Sequence, residues 1–348
     1  MEKYISLLQQ LIATPSLSKK EDATAAIIIR FLESADLQPN RLENNVWCTN
    51  KHFDSSKPTI LLNSHHDTVK PAASYTRDPY DANIASGKLY GLGSNDAGGA
   101  LITLMATFLH FYEHQGLAYN LVFAASAEEE ISGKNGIALL LPKLGKISVG
   151  IVGEPTQMQM AVAEKGLMVI DGLAKGKSGH AAREEGENAI YKALQDVDYI
   201  RNLELEKASP LLGATKMTVT QISAGTQHNV VPDECHFVID VRTNENYSNQ
   251  DVFSILDKNT QSELKARSFR LNSSKIALDH PLVKRGQALG LAHYGSPTLS
   301  DQALMSFPTL KIGPGDSARS HTADEFIYVQ EMEDAFVIYK QLLENLVL

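Results

Sequence analysis

The stretch GGALITLMATFLHFYEHQGLAYNLVFAASAEEE, residues 98–130, decides the predicted fold. Its first part, 98–116, is apolar over several helical turns and predicts a buried helix. The run NLVFAASAEEE (120–130) is typical of a buried strand that ends in acids. A similar run, TILLNSHHD (59–67), precedes it, and ISVGIVGEPT (147–156) follows it. This alternation predicts an α/β fold with a mixed, mostly parallel sheet and helices on both faces.

The pattern of predicted elements changes in the middle of the chain. From 164 to 272 it predicts the order βαββαβ, which is that of a small ferredoxin-like domain. Its elements are 167–175, 187–203, 216–224, 235–243, 249–262 and 263–272. We therefore expect a first domain made of 1–163 and 273–348, with 164–272 inserted as a second domain.

The bulk composition excludes several classes of protein. The 348 residues carry a formal net charge of −9, and no cluster of Lys or Arg stands out. Nucleic acid and anionic membranes are therefore not expected as partners. The N-terminus has no signal-peptide pattern, and no apolar run approaches the ~20 residues of a membrane span. Cys48 and Cys235 form no disulfide framework or metal motif, so a cytoplasmic location is expected.

Clusters of acids and histidine follow the predicted strands of the first domain. They are HHD at 65–67, GLGSNDAGG at 91–99, AEEE at 127–130 and GEPT at 153–156. Ligands of an open α/β sheet bind outside the carboxyl ends of its strands, so these clusters are expected to converge. Converging carboxylates repel one another unless a cation is present. Histidine and carboxylates without cysteine suit Zn²⁺ or a similar divalent ion, and the number of acids indicates two ions.

The adjacent histidines of the first cluster are expected to differ in role. Side chains at positions i and i+2 of a strand share a face, so His65 and Asp67 point together and His66 points away. A metal-bound histidine usually donates its other N–H to a carboxylate, a carbonyl or water. Asp67 is placed to accept that hydrogen bond from His65. We interpret His66 as a satisfied core or surface residue.

Two of the acidic clusters also have simpler explanations. Asp96 precedes the predicted apolar helix and could cap its N-terminus. Glu128, Glu129 and Glu130 could lie in a solvated loop, although consecutive carboxylates at a buried strand end are costly without a cation. If the strand reached residue 130, Glu128 and Glu130 would share a face, but a turn would break that rule. The residues alone do not assign roles within this triplet.

An ordered set of motifs resembles one enzyme family across nearly the whole chain. The motifs are SHHDTV (64–69), GLGSNDAGG (91–99), EEE followed by SG (128–133), VGEPT (152–156), GKSGHAA (176–182), HNVVPDEC (228–235) with DVR (240–242), and GPGDSARSH (313–321) with a later E. This set resembles the co-catalytic zinc deacylases and exopeptidases, which include acetylornithine deacetylase, succinyl-diaminopimelate desuccinylase, aminoacylase and glutamate carboxypeptidase. The resemblance implies a zinc-dependent hydrolase of linear amides, with its catalytic domain in 1–163 and 273–348.

The family pattern implies a role for each matched residue. Its metal ligands are His65, Asp96, Glu130, Glu154 and His321. Asp96 bridges two ions, Asp67 orients His65, and Glu129 is the general base. Glu128 stands where the family often has an aspartate, so Glu128 stays open as the alternative base. Zn²⁺ is the implied metal at two sites, and Co²⁺ is expected to substitute for it.

The resemblance also implies that 164–272 is a lid through which two copies form a homodimer. His180 matches a histidine that stabilises the oxyanion, often from the partner subunit, although by itself it would be an ordinary turn histidine. Asn229 and Arg242 match residues that contact the substrate. Arg242 could clamp a carboxylate with two hydrogen bonds or form a surface ion pair.

The short chain and compact lid resemble deacylases of arginine biosynthesis. The implied substrate is a small N-acyl amino acid such as N-acetylornithine or N-acylcitrulline, with an acetyl or succinyl group. A dipeptidase or carboxypeptidase would use the same catalytic residues and stays an alternative. A non-catalytic metal-binding protein would have lost a ligand or the base, yet every matched position is present. The sequence VK at 69–70, where the family usually has VP, leaves the acyl preference open.

Overall fold

The computed structural model describes all residues from 1 to 348, and the chain forms two compact units. The first unit contains Met1–Val162, Lys275–Tyr294 and Ser300–Leu348, and the second contains Ala163–Ser274 and Gly295–Leu299. The sequence places 273–348 entirely in the first domain, whereas the structure returns 295–299 to the second unit.

Helices and strands alternate through most of the chain. The helices are α1 (Glu2–Ile12), α2 (Asp22–Glu33), α3 (Gly99–Phe111), α4 (Ile137–Leu140), α5 (Ala189–Asn202), α6 (Asn249–Asn259), α7 (Pro281–Ala288) and α8 (Val329–Leu343). The strands are β1 (Asn40–Leu42), β2 (Asn45–Thr49), β3 (Thr59–His65), β4 (Ile84–Ala85), β5 (Lys88–Tyr90), β6 (Asn120–Ser126), β7 (Val149–Val152), β8 (Met160–Glu164), β9 (Met168–Lys175), β10 (Gly179–His180), β11 (Lys216–Ala224), β12 (Val230–Val231), β13 (Glu234–Arg242), β14 (Glu263–Ala266), β15 (Ser274–Lys275), β16 (His293–Ser296), β17 (Thr309–Lys311) and β18 (Phe326–Tyr328). None of these helices combines the length and the apolar character needed to cross a bilayer.

The first unit is built around a mixed sheet that contains the strand order β1-β2-β6-β3-β7-β17-β8. The central strands β6, β3, β7 and β17 pair in parallel, whereas β2 and β8 run antiparallel to their inner neighbours. This confirms the predicted α/β fold with a mixed sheet. His65 pairs with Ser126 and Asn63 pairs with Val152, so the central strands end nearly level with one another. The residues that follow these strands therefore emerge at one edge of the sheet.

Helices cover both faces of this sheet, as the alternating pattern predicts. On one face, Ile137 of α4 packs in a cluster with Leu61 and Val122. On the other face, α3 contacts β3 and β6, and the ring centroid of Phe108 lies 5.9 Å from that of Phe123. Buried residues make up 11 of the 13 positions of α3, which is expected for a helix that is apolar all round.

The strand that follows α3 ends earlier than the sequence predicts. β6 stops at Ser126 instead of reaching residue 130, and Glu128 has a left-handed backbone with φ of 54°. Glu129–Ile131 then form a single turn of 3-10 helix. The alternation of faces along a strand therefore does not extend to the acidic triplet.

The second unit has its own sheet and its own core. Its elements follow the chain order β9-α5-β11-β13-α6-β14, with β10 and β12 paired separately. The sheet is antiparallel, in the order β11-β13-β9-β14. Ala193 of α5 and Val252 and Leu256 of α6 lie in one buried cluster with Ile170 and Phe237 of the sheet. β11 is an edge strand, and most of its residues are exposed.

Candidate metal centre

Segments of the first unit bring histidine and carboxylate side chains to the carboxyl edge of the central strands. These side chains are His65 at the end of β3, Asp96 in the turn before α3, Glu129 and Glu130 after β6, Glu154 after β7, and His321 after β17. The ligand atoms of His65, Asp96 and Glu130 lie within 4.8 Å of one another, as do those of His65, Glu129 and Glu154. The residues expected to hold metal therefore meet in one place.

His65 is the buried centre of this group. Its side chain is 1% exposed, and Nδ1 donates to the carbonyl oxygen of Asp67 at 3.0 Å, with the Asp67 carboxylate at 3.4 Å. The carbonyl is therefore the hydrogen-bond acceptor, and the carboxylate lies just beyond it. Nε2 faces three acids, at 3.3 Å from Asp96, 3.9 Å from Glu154 and 4.0 Å from Glu129. This arrangement leaves Nε2 available as a metal ligand.

Asp67 links His65 to the acidic triplet. Its Oδ1 accepts the backbone N–H of Glu129 at 3.0 Å, and Oδ2 accepts that of Glu130 at 3.2 Å. The hydroxyl of Ser18 donates to Oδ2 at 2.7 Å. Burial by itself would raise the pKa of Asp67, but these hydrogen bonds and His65 hold it below its usual value. Asp67 is thus a buried carboxylate that positions the turn of Glu129 and Glu130.

His66 points away from the acids, as strand alternation predicts. Its Nε2 donates to the carbonyl oxygen of Asn44 at 2.9 Å, and Nδ1 lies 2.9 Å from the hydroxyl of Thr24. Burial lowers the pKa of His66 to about 4, so the ring is neutral. His66 is therefore a satisfied core residue of the first unit.

The three glutamates after β6 have separate surroundings. Glu128 turns back on its own loop, where its carboxylate accepts the backbone N–H of Asn135 at 3.2 Å and its side-chain amide at 2.9 Å. Glu129 faces His65, and Glu130 Oε2 lies 2.9 Å from Nε2 of His321. The 3-10 turn, which the sequence pattern does not reveal, separates Glu128 from the metal-ligand groups.

The turn that carries Asp96 is held by an acid to which the sequence motifs assign no role. Glu325 is 2% exposed, and its carboxylate accepts backbone N–H groups of Gly93, Asn95 and Asp96. Burial raises the pKa of Glu325 to about 8, with Asp96 contributing. The simpler role for Asp96, a helix N-cap, is not seen, because no side chain caps α3.

Asp301 is another buried acid near the site, and it lies in none of the sequence motifs. It lies in the short turn Asp301–Leu304, and its Oδ2 accepts the hydroxyl of Ser126 at 2.6 Å and the amide of Asn63 at 2.8 Å. Burial raises the pKa of Asp301 to about 6. It thereby connects the ends of β3 and β6 beneath the site. A single aspartate in the sequence LSDQAL carries no spacing pattern that could have marked it.

Burial and crowded charges shift the titration of the centre. Burial raises the pKa of Glu154 to about 8, and Asp96 adds to this shift. Burial likewise raises the pKa of Glu129 well above 4.5, with Glu154 contributing. The hydrogen bond to Glu130 raises the pKa of His321 to about 9. A cation among these groups would favour ionised carboxylates and neutral imidazoles, so the electrostatics favour cation binding.

The donor set fits divalent metal ions. It consists of imidazole nitrogens and carboxylate oxygens without sulfur, which suits Zn²⁺ and related ions. Asp96 faces both histidines, because its Oδ1 lies 3.3 Å from Nε2 of His65 and its Oδ2 lies 3.6 Å from Nε2 of His321. A carboxylate in this position can serve two ions.

The remaining predicted site residues belong to the second unit. His180 is exposed, and its Nδ1 accepts the backbone N–H of Ala182 at 3.1 Å, as in a local turn. Asn229 lies on the neighbouring segment, where its carbonyl accepts the N–H of Ala181. The guanidinium of Arg242 donates to both oxygens of Asp240, at 2.8 and 3.0 Å. This is the ion-pair alternative considered for Arg242.

Comparison with known proteins decides the family. A model of peptidase family M20/M25/M40 matches residues 61–345. The chain belongs to this family. It is therefore an M20-family hydrolase. The chain is 28% identical, over 379 aligned residues, to an acetylornithine deacetylase of Proteus mirabilis. This match covers 98% of this chain and 96% of that protein.

Several solved structures share the fold of this chain. The aminopeptidase PepT of Bacillus cereus matches 99% of this chain and 98% of its own, with a TM-score of 0.78 and 18% identity. A Bacillus subtilis protein described as a dinuclear metal-binding peptidase of family M20 matches 98% of this chain and 97% of its own, with a TM-score of 0.75 and 18% identity. Human carnosine dipeptidase 1 matches 98% and 96%, with a TM-score of 0.62 and 14% identity.

Proposed function

We propose that this M20-family hydrolase is a metal-dependent amidohydrolase that removes an acetyl or succinyl group from an N-acyl amino acid such as N-acetylornithine or N-acylcitrulline. The observation that carries the proposal is the similarity to an acetylornithine deacetylase along 98% of this chain. We infer a place in arginine biosynthesis from the same relationship. The two free, buried cysteines suit a reducing compartment such as the cytoplasm.

In this proposal the centre holds two divalent ions, Zn²⁺ or Co²⁺ in its place. The proposed ligands are His65, Asp96, Glu130, Glu154 and His321. Asp96 is the shared ligand, which is supported by the proximity of its two oxygens to His65 and His321. Such ions, when bound, lower the pKa of water and polarise a carbonyl group. Asp67 orients His65 and holds the turn of Glu129 and Glu130, as its hydrogen bonds support.

Glu129 is the proposed general base. Its Oε2 lies 4.0 Å from Nε2 of His65, beside the proposed ligands. Glu129 takes a proton from the attacking water and delivers it to the nitrogen of the leaving amine. Burial raises the pKa of its carboxyl group above the usual value, which suits a residue that must both accept and return a proton. Glu128 is a weaker candidate, because its carboxylate is occupied by Asn135.

The second unit is proposed to be a ferredoxin-like lid through which a homodimer forms. Its order of elements supports this fold. Tyr191 and Leu194 of α5 are 67% and 50% exposed, and Ile222 of the edge strand β11 is 53% exposed. A second copy that paired along β11 would satisfy the open edge of the sheet and cover these apolar side chains.

Three residues of the second unit are proposed to act on the substrate. His180 stabilises the oxyanion of the reaction, and Asn229 and Arg242 contact the substrate, as the family resemblance implies. For Arg242 this role requires that a substrate carboxylate compete with Asp240, which holds the guanidinium through two hydrogen bonds.

A dipeptidase or carboxypeptidase is the second candidate function. It is favoured by the similar fold of human carnosine dipeptidase 1. Both reactions hydrolyse an amide next to a free carboxylate, so the residues of the centre serve either one.

A panel of substrates tests the choice. Purified protein with added Zn²⁺ or Co²⁺ is assayed on N-acetylornithine, N-acetylcitrulline, N-succinylornithine and a set of dipeptides, with Glu129→Gln as the inactive control. We expect hydrolysis of at least one acylated ornithine or citrulline at a higher kcat/KM than any dipeptide. Inactivity on every acylated amino acid, together with dipeptide hydrolysis, would replace the deacylase by the peptidase.

A further inference from the structure

We propose that Glu325 is a positioning residue of the metal centre, which holds the turn of Asp96 and the segment of His321 in fixed relation to each other. The inference rests on the metal-binding part of the proposed function and is independent of the substrate. Glu325 touches no proposed ligand side chain, so its effect would pass through the backbone.

The carboxylate of Glu325 is enclosed by backbone donors. Its Oε1 accepts the N–H of Asn95 at 2.8 Å and that of Asp96 at 2.9 Å, and its Oε2 accepts the N–H of Gly93 at 3.2 Å. The turn can direct these N–H groups toward one carboxylate because Gly93 has a left-handed backbone, with φ of 79°. Successive N–H groups in such a turn form a concave anion site. Glu325 supplies that anion from within the chain.

The same residue belongs to the segment that carries the other histidine. Glu325 lies four positions after His321, and its own carbonyl accepts the N–H of Gly91 at 2.9 Å. The neighbouring Asp324 accepts the backbone N–H groups of Thr76 and Arg77 at 2.9 and 3.0 Å. The His321 segment is therefore fastened on two sides, and Glu325 links it to the turn of Asp96.

A second contact supports a rigid connection between the two segments. Asn95, next to Asp96, donates through Nδ2 to the carbonyl of Asp316 and accepts its N–H through Oδ1, each at 3.0 Å. Gly315 is required beside it, because a Cβ there would lie 2.5 Å from Oδ1 of Asn95. The side chain of Asn95 thus reaches from the Asp96 turn to the His321 segment, and the side chain of Glu325 reaches from the His321 segment to the Asp96 turn.

The chemistry of the contact explains why a carboxylate is needed rather than an amide. Glutamine has one acceptor oxygen, which could still serve Asn95 and Asp96. Its NH₂ group would then face the N–H of Gly93, so that two donors would oppose each other inside the protein. A buried carboxylate beside Asp96 is unfavourable in itself. Charge-assisted hydrogen bonds from three N–H groups reduce that cost but do not remove it, since burial and Asp96 still raise the pKa of Glu325 to about 8.

The test compares metal binding by wild-type protein, Glu325→Gln and Glu325→Asp. Asp196→Asn is the matched control. Asp196 is 3% exposed, against 2% for Glu325, and it accepts the backbone N–H groups of Gln261 and Ser262 in the second unit. The readouts are the affinity of each Zn²⁺ or Co²⁺ equivalent by chelator competition, the Co²⁺ absorption spectrum, and thermal unfolding of metal-free protein.

We expect Glu325→Gln to weaken at least one metal site by roughly 10–100-fold and to change the Co²⁺ spectrum. Asp196→Asn should lower the unfolding temperature without either effect. If the glutamine variant does not fold, Glu325→Asp decides, because its shorter side chain cannot reach all three N–H groups. Wild-type affinity and spectrum in a folded Glu325 variant would overturn the inference. Wild-type protein that binds metal but hydrolyses no amide would refute only the proposed enzymatic function.

Discussion

His321 and Glu130 are 191 positions apart in the chain, yet Nε2 of His321 lies 2.9 Å from Oε2 of Glu130. The carboxylate raises the pKa of His321 to about 9, so without metal the two residues form an ion pair at neutral pH. A metal ligand must be a neutral imidazole. A metal ion would therefore have to displace the proton that the pair holds.

Metal binding is accordingly expected to release protons. At a pH between 7 and 8, titration calorimetry in buffers of different ionisation enthalpy should detect this release, because His321 is protonated beforehand. His321→Ala should bind one ion fewer or more weakly and release fewer protons. The exposed His52 provides the control substitution His52→Ala, for which wild-type behaviour is expected. Equal proton release by both variants would contradict the assignment of His321 as a ligand.

Glu129→Gln should abolish turnover while the metal content survives. The reason is that a general base contributes about 10²–10⁴-fold to the rate, whereas the proposed ligands remain intact. Glu128→Gln is the matched control, since its carboxylate bonds Asn135 and not the centre. Steady-state kinetics and metal analysis decide between them. If Glu128→Gln were the inactive variant, the base would have been assigned to the wrong residue.

The metal-free protein should lose stability as the pH rises. The pKa of Glu154 is about 8 in the folded protein against 4.5 ordinarily, so the folded state holds a proton that the unfolded chain releases. The resulting stability is complete below about 4.5 and is lost as the pH rises through about 8. Each unit of pKa difference corresponds to about 1.4 kcal/mol.

Urea unfolding of chelator-treated protein across this pH range provides the measurement. Metal-loaded protein serves as the comparison and should show a much weaker decline, because the cation stabilises the ionised acids. The prediction fails if the free energy of unfolding of the metal-free protein increases over the same pH range. The crowded carboxyl groups would then not dominate the pH dependence of its stability.

The proposed dimer predicts that charge on the second unit separates the subunits. Tyr191→Glu combined with Ile222→Lys places charges on an exposed apolar face, where they would be desolvated in an interface. Light scattering should then give half the wild-type mass. Val337→Glu is the control, because Val337 is 47% exposed on α8 of the first unit. A monomeric wild-type protein would remove the basis for this proposal.

Local sequence patterns were sufficient to predict the long helices and strands of the fold. The apolar positions of 98–116 predict α3, and the run at 59–67 predicts β3, because periodicity reflects the surroundings of each side chain. The three-residue strand β17 escaped prediction, since Thr309–Lys311 is too short to show a period. The strand predicted over 120–130 was too long, because nothing in AEEE indicates the left-handed backbone of Glu128.

The sequence by itself determined the alternating α/β architecture and the kinds of side chain at the strand ends, and its ordered motifs indicated the family. Only the tertiary structure decided which acid of the triplet turns away and which buried carboxylates support the site. Glu325 and Asp301 act on residues more than 170 positions away, through hydrogen bonds to backbone and side-chain groups. Such contacts depend on how distant segments pack, and no local spacing in the chain encodes them.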